Sequence, residues 1–446
     1  MDSGLFLAGA AEVDITPPVG TALAGDLKPR KSVGVQDPLT IKAIVLSSGG
    51  VKLAYVLLDL IALERKDGDA AVSLAARRTG IPEQNIVWAA SHTHTGPYTI
   101  QLFDDPSPLD AAWFAGIPAK FADAVEAACR SMRPARMSRE RAYCHHVLHN
   151  RRYRYKDGRE INTWLLHSGE EEVQCLGAAA PIDPEVGILC FDDAGGAFDF
   201  AQGRPEQRRT GGAPIAVLWH YSLHTNANFG KCFSADYPAV VAARLRERFG
   251  PDVVPIFVPG TFGDINPTLG YREVGDALAR VILQRLEKRK PGLGPVPLGA
   301  LKQEITVPWR DLAADPEARI RASQWSPEAQ EVFRREVACM RRAGRTDDRT
   351  LLQAWRIGEV AFASLPGEVF VEWGLKIKAE SPFPWTFCVE LGGDYLGYLV
   401  TEQAWRAGGY ESLTARSARP SVGGVAMMVE ADLALLRKLW EKGRSA

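Results

Sequence analysis

What this sequence lacks narrows its chemistry first. None of its seven cysteines stands in a CxxC pair, which argues against a thiolate zinc site or a dithiol redox motif. An odd, scattered set (Cys129, Cys144, Cys175, Cys190, Cys232, Cys339 and Cys388) fits a reducing compartment. No GxSxG elbow, P-loop or GxGxxG turn occurs, so serine-hydrolase, kinase-like and dinucleotide chemistry lack their signatures. HExxH is missing too, which excludes a zincin. No apolar run reaches the roughly 18 residues of a membrane span. The N-terminal stretch MDSGLFLAGAAEVDITPP carries an acid where a signal peptide needs a basic residue, so a cytoplasmic chain without stable membrane anchoring is expected. Charge of one sign is also lacking. With 53 basic and 54 acidic residues the net charge is -1, and nothing in bulk drives the chain toward nucleic acid or an anionic surface.

What is present is a large apolar allowance with a repeated pattern. At 446 residues the chain exceeds the usual single-core size, and 46% hydrophobic residues can bury a sizeable core. Residues 41–47 and 52–60, joined at Gly49-Gly50, predict a β-hairpin. Residues 68–79 predict a helix stopped at Gly80. Apolar runs at 85–91, 213–220 and 253–260 predict buried strands, with helices at 238–249 and 273–289 between or after them. The Pro/Gly-rich stretch 290–299 is the best linker candidate. An alternating strand follows it, then a highly charged helical insertion at 311–350, then apolar strands at 360–366, 385–391 and 395–401. The fold class is α/β, with mixed sheets flanked by helices. Several apolar runs end abruptly in polar clusters, the place where ligands bind in α/β sheets.

The strongest cluster is Ser91-His92-Thr93-His94-Thr95-Gly96-Pro97. Two imidazoles at a strand end point the same way, because side chains alternate, and neutral imidazole is a good zinc ligand. The bland alternative is a pair of surface histidines in a turn. A second cluster, Trp219-His220-Tyr221-Ser222-Leu223-His224, offers His220 or His224 to complete a site. Glu368, in Pro366-Gly367-Glu368, precedes a helix, where an acid is also a plain capping residue. Tyr395 and Tyr398 follow a strand, as core tyrosines often do. His149-Asn150-Arg151-Arg152 could grip a carboxylate or phosphate bidentately or simply form a solvated loop.

Taken in order, these clusters resemble the neutral/alkaline (non-lysosomal) ceramidase family. The opening AEVDITPP, SHTHTGP, WHYSLHT, SADYP, GDINP, PGEVF and DYLGYLVT, then Gly409-Tyr410-Glu411, follow the family's order over nearly the whole chain. The resemblance implies one ceramidase-like catalytic domain over 1–446. It implies zinc ligands at His92, His224, Glu368 and Tyr398, with His94, Arg151 and Tyr410 contacting substrate. His224 rather than His220 falls on the metal histidine. Asp59 and Asp264 become candidates to orient the histidines. NRRYRY lacks the Ser-Pro that follows NR in true ceramidases, and neither a secretion signal nor a C-terminal immunoglobulin-like domain is expected. A small or N-acyl amide is therefore a better expectation than ceramide in a membrane. The expected function is zinc-dependent cleavage of a C–N bond by metal-activated water. The alternatives are an ester or lactone hydrolase using the same site, or a non-catalytic zinc-binding protein. Neither the substrate nor the oligomeric state follows from the sequence.

Overall fold

Strand β1 (Leu7–Asp14) runs antiparallel to β2 (Thr40–Ser48). Gly49 and Gly50 then reverse the chain into β3 (Val51–Leu58), both at positive φ, the conformation a two-residue hairpin requires and glycine adopts without strain. The predicted hairpin is therefore present. Helix α1 (Arg65–Thr79) ends on Gly80 in the left-handed conformation, and β4 (Ile86–Ala90) lies parallel to β3. Helix α2 (Ile117–Arg130), β5 (Arg133–Tyr143), β6 (Glu185–Asp193) and β7 (Pro214–Tyr221) follow. Helix α3 (Tyr237–Phe249) leads to β8 (Val254–Pro259), parallel to β7, and helix α4 (Tyr271–Glu287) closes this half. The eight strands form one sheet in the order β8-β7-β6-β5-β1-β2-β3-β4. The computed structural model describes residues 5–27, 30–103, 108–165, 174–194, 214–290, 292, 294–314, 316–323 and 325–443.

A second, four-stranded sheet has the order β9-β10-β11-β12. It is built from β9 (Leu298–Pro308), β10 (Asp347–Ile357), β11 (Val360–Leu365) and β12 (Trp385–Glu390), the last two parallel. Helix α5 (Pro327–Ala343) precedes β10, α6 (Val371–Glu380) joins β11 to β12, and α7 (Val422–Lys442) follows the last strand.

Side-chain alternation assigns the layers. On β3, Ala54, Val56 and Leu58 pack with Ala71 and Val72 of α1 and Phe121 of α2. The intervening Leu53, Tyr55 and Leu57 face the second sheet, where the Tyr55 ring stacks on Trp355 at 6.0 Å. The other face of the second sheet, through Leu352, Ala354, Ala361 and Ala363, packs on Met428, Leu433 and Leu436 of α7. The order is helix, sheet, sheet, helix, as the period-two apolar pattern requires. The large sheet also curls. The Tyr55 hydroxyl on β3 donates to the Phe257 carbonyl on β8 at 3.2 Å, across positions far apart in the strand order.

Three readings change. The run 395–401 is mostly loop, with only Tyr398–Leu399 as a strand, because Gly397 turns the chain at positive φ. The stretch 311–350 contains the helix Pro316–Ala322 and α5, but its last residues begin β10. It is not solvated throughout, since Val332, Phe333, Val337 and Met340 of α5 are buried. Within 290–299, β9 already starts at Leu298, and Pro291 and Leu293 lie outside the described residues. Among the described residues no helix is long and apolar enough to cross a membrane, and the seven cysteines are free thiols.

Candidate metal centre and active site

Three of the parallel strand pairs, β3/β4, β7/β8 and β11/β12, each release the chain toward one place. After β4, His92 takes a positive φ of 68°, unusual for a residue with a side chain. The two imidazoles of the HxH pair therefore converge through a turn, not through strand alternation. Their ring centres lie 4.9 Å apart. After β7 the chain brings His224 to the same point, its ring 4.6 Å from that of His92. His220 is not there. It is fully buried between the sheets, stacked on Phe387, with Nε2 3.0 Å from the Cys388 carbonyl.

Backbone carbonyls orient all three histidines. Nδ1 lies 2.6 Å from the Ile61 oxygen in His92, 2.8 Å from Gly25 in His94 and 3.1 Å from Phe262 in His224. A carbonyl only accepts, so in neutral His94 and His224 Nδ1 carries the proton and Nε2 turns a lone pair inward. The Nε2 atoms of His94 and His224 face each other at 3.2 Å. Gly25 permits this, since a Cβ there would stand 2.5 Å from the His94 Nδ1. Burial, then the neighbouring His92, pushes His94 down to about 3 and His224 well below the ordinary value, so both are neutral at pH 7.

Glu368 completes the cluster. It sits in a two-residue strand, Glu368–Val369, paired in parallel with Tyr398–Leu399, so Glu368 and Tyr398 are direct neighbours. Its Oε1 accepts from the Tyr395 hydroxyl at 2.9 Å. Its Oε2 has no hydrogen-bond partner among the described residues and lies 3.4 Å from His92 Nε2 and 3.9 Å from His224 Nε2. Burial works to raise this carboxyl, but His92 and Arg151 prevail and hold it below its ordinary value. Tetrahedral zinc with nitrogen ligands at about 2.0–2.1 Å separates its ligand atoms by about 3.3 Å. The spacings here fall close to that, and facing lone pairs with no proton between them call for a shared cation. His92, His94 and His224 could thus hold a metal ion, with the unpaired Glu368 oxygen beside them.

Around this cluster lie the remaining expected residues. Arg151 is buried, its Nε donating to Glu411 at 2.7 Å and Nη1 to Asn266 at 3.3 Å. Its guanidinium lies 5.4 Å from the Tyr398 ring centre, and Nη2 makes no hydrogen bond among the described residues. Tyr410 packs edge-on to Tyr398 at 5.4 Å, within a wall that also holds Trp164, Trp325 and Phe333. Of the three histidines, His94 alone keeps part of its surface open.

Asp59 and Asp264 do not orient the histidines. Asp59 accepts from Thr40 and Lys42, and Asp264 from Asn150, Arg152 and the Val371 amide. Backbone carbonyls reach the rings instead. Sequence reasoning gave Tyr395 no role beyond a core tyrosine and missed Glu390. The Glu390 carboxylate, raised by burial well above the usual range, accepts from the amides of Phe262 and Val369 and so joins the His224 and Glu368 segments.

The overall fold is that of a neutral ceramidase. The chain is similar to the crystal structure of neutral ceramidase from Pseudomonas aeruginosa, with a TM-score of 0.72 and 17% identity over 99% of this chain and 75% of that one. It is similar as well to a ceramidase complexed with C2, with a TM-score of 0.70 and 16% identity over 98% and 76% of the two chains. No protein-family model and no curated protein sequence matches this chain.

Proposed function

We propose that this protein is a zinc-dependent hydrolase that cleaves the C–N bond of a small or N-acyl amide. The observation that carries the reading is the unpaired buried Glu368 oxygen 3.4 Å from His92 Nε2 and 3.9 Å from His224 Nε2, with His94 Nε2 3.2 Å from that of His224. His92, His224, Glu368 and Tyr398 are the proposed ligands, and His94, Arg151 and Tyr410 the residues that meet substrate. When bound, zinc supplies a Lewis acid that polarises a carbonyl and lowers the pKa of water toward about 7.

The chain's own groups do the rest. His94, its Nδ1 bound to the Gly25 carbonyl, is the group proposed to take a proton from the attacking water at Nε2 and return it to the leaving nitrogen. The C–N bond breaks as the water oxygen joins the acyl carbon, giving an acid and an amine. Burial raises the Tyr410 phenol, so it stays protonated and can donate to the developing oxyanion. The free Nη2 of Arg151 offers a second charged donor.

Metal analysis of the purified protein, joined to a screen of amides, esters and lactones, tests this reading. Close to one zinc per chain, turnover of an amide, and loss of both in His92→Ala are expected. Protein that holds no stoichiometric metal and does not respond to added zinc would refute the metal claim. Preferential turnover of esters would move the reaction to that class.

A further inference from the structure

Beyond the Tyr398–Tyr410 pair lies a cavity of about 250 Å³ whose walls include Ile161, Trp325, Tyr410, Leu413 and Arg319. Its charges are unequal in their compensation. Glu160 is bound by Arg152 at 2.7 Å, Arg159 by Asp157 at 2.7 Å, and Arg406 by Glu402. Arg319, on the helix Pro316–Ala322, has no carboxylate partner among the described residues. It donates to the Trp405 carbonyl at 2.8 Å and lies 3.7 Å from the Trp405 ring centre. Arg310 lies 4.6 Å from that same ring centre, buried, and among the described residues its guanidinium donates only to the carbonyls of Glu411, Leu413 and Pro420. The two guanidiniums thus share one indole with no anion between them.

Removing a cation from water without a counter-charge is costly, and such charges are ordinarily paired. The strain is visible at Arg310, where burial, then the nearby Arg319, pushes the guanidinium down to about 9. Arg319 lines the cavity next to apolar walls, and Arg310 fixes the Tyr410 turn through two of its carbonyls. Apolar walls with one uncompensated cation suit a chain that ends in an anion.

Resting on the amide-hydrolase reading above, we propose that this cavity receives the carboxylate-bearing arm of the substrate, paired with Arg319, so that the substrate class is an amide with one anionic arm.

Calorimetric binding of hexanoate against hexanamide tests the cavity without requiring turnover. The wild-type protein is expected to favour the carboxylate at least about tenfold, the ordinary worth of a charge-assisted hydrogen bond. R319Q should lose most of that ratio, and R319K, which keeps the charge, should retain most of it. Because the readout is a ratio, a partly unfolded variant does not mimic the result. The parallel experiment compares kcat/KM for acetamidohexanoate and its neutral carboxamide, with the same ratios expected. No carboxylate preference in the wild type, or an equal preference in R319Q, overturns the proposal. A preference that R319Q abolishes in a protein that hydrolyses no amide would uphold the anion site while removing the hydrolase reading.

Discussion

Arg151 and His220 carry separable expectations at the scale of the residue. The Arg151–Glu411 pair is almost wholly buried, with side-chain exposures of 3% and 1%. Removing one partner of such a pair costs about 3–5 kcal/mol, because the other charge stays buried. Arg151→Ala should therefore lower stability by that order, keep its metal, and lose about ten- to a hundredfold in kcat/KM. Adding Glu411→Gln should recover stability in a urea titration but not kcat/KM. Recovery of both would make Arg151 purely structural. His220 is held neutral, pushed down to about 3 by burial and then by Lys378. A base depressed below its unfolded value of 6.5 contributes stability that is present above pH 6.5 and is lost as pH falls toward 3. His220→Gln should flatten that acid limb by up to about 1.4 kcal/mol per pH unit, measured as unfolding free energy between pH 6.5 and 4. His92 stood out in its motif, while His224 was separated from His220 only by the family resemblance. The groups that orient them were not legible, because a backbone carbonyl has no residue type to read. Arg310 and Arg319 were equally silent, since the partners that mark them are carbonyls and one indole at distant positions.

At the scale of the element, apolar runs and glycine stops located β2, β3, β4, β7, β8, β11 and β12, because buried strands need such runs and a left-handed C-cap needs Gly80. The Glu368–Val369 strand escaped, being too short for any period to register, and the strand read at 395–401 shrinks to Tyr398–Leu399. One glycine inside an element has an unexpected use. Gly68 of α1 faces Trp88 of β4, and a Cβ there would lie 2.2 Å from the indole Cζ2. Alanine would gain about 1 kcal/mol in helix propensity. Overpacking a rigid, buried indole costs about 1–3 kcal/mol, so the steric effect should win. Gly68→Ala should lower the urea midpoint, and because β4 delivers His92, zinc affinity should fall with it. A raised midpoint would mean that the Trp88 contact yields easily.

For the whole molecule, the decisive fact is that a curled sheet and a second sheet contribute jointly to one centre. His92 follows the strand at one edge of the large sheet, His224 follows the strand next to the other edge, and Glu368 follows the second sheet's third strand. None of these donors is near another in the chain. The site therefore has no partial form to capture an ion early, and its assembly needs the slowest, longest-range contacts of the fold. Zinc should leave the refolding rate in dilute denaturant nearly unchanged and slow unfolding instead, as expected for an interaction absent from the transition state. Stopped-flow chevrons with and without zinc would decide this, and a zinc-accelerated folding limb would contradict it. During synthesis the ribosome has to emit the chain past Tyr398 before the proposed ligand set can exist, at about 5–20 residues per second. On the proposed reading, metal loading belongs to the finished protein, and the cell's supply of zinc would set how much of the folded pool is active and how slowly that pool unfolds.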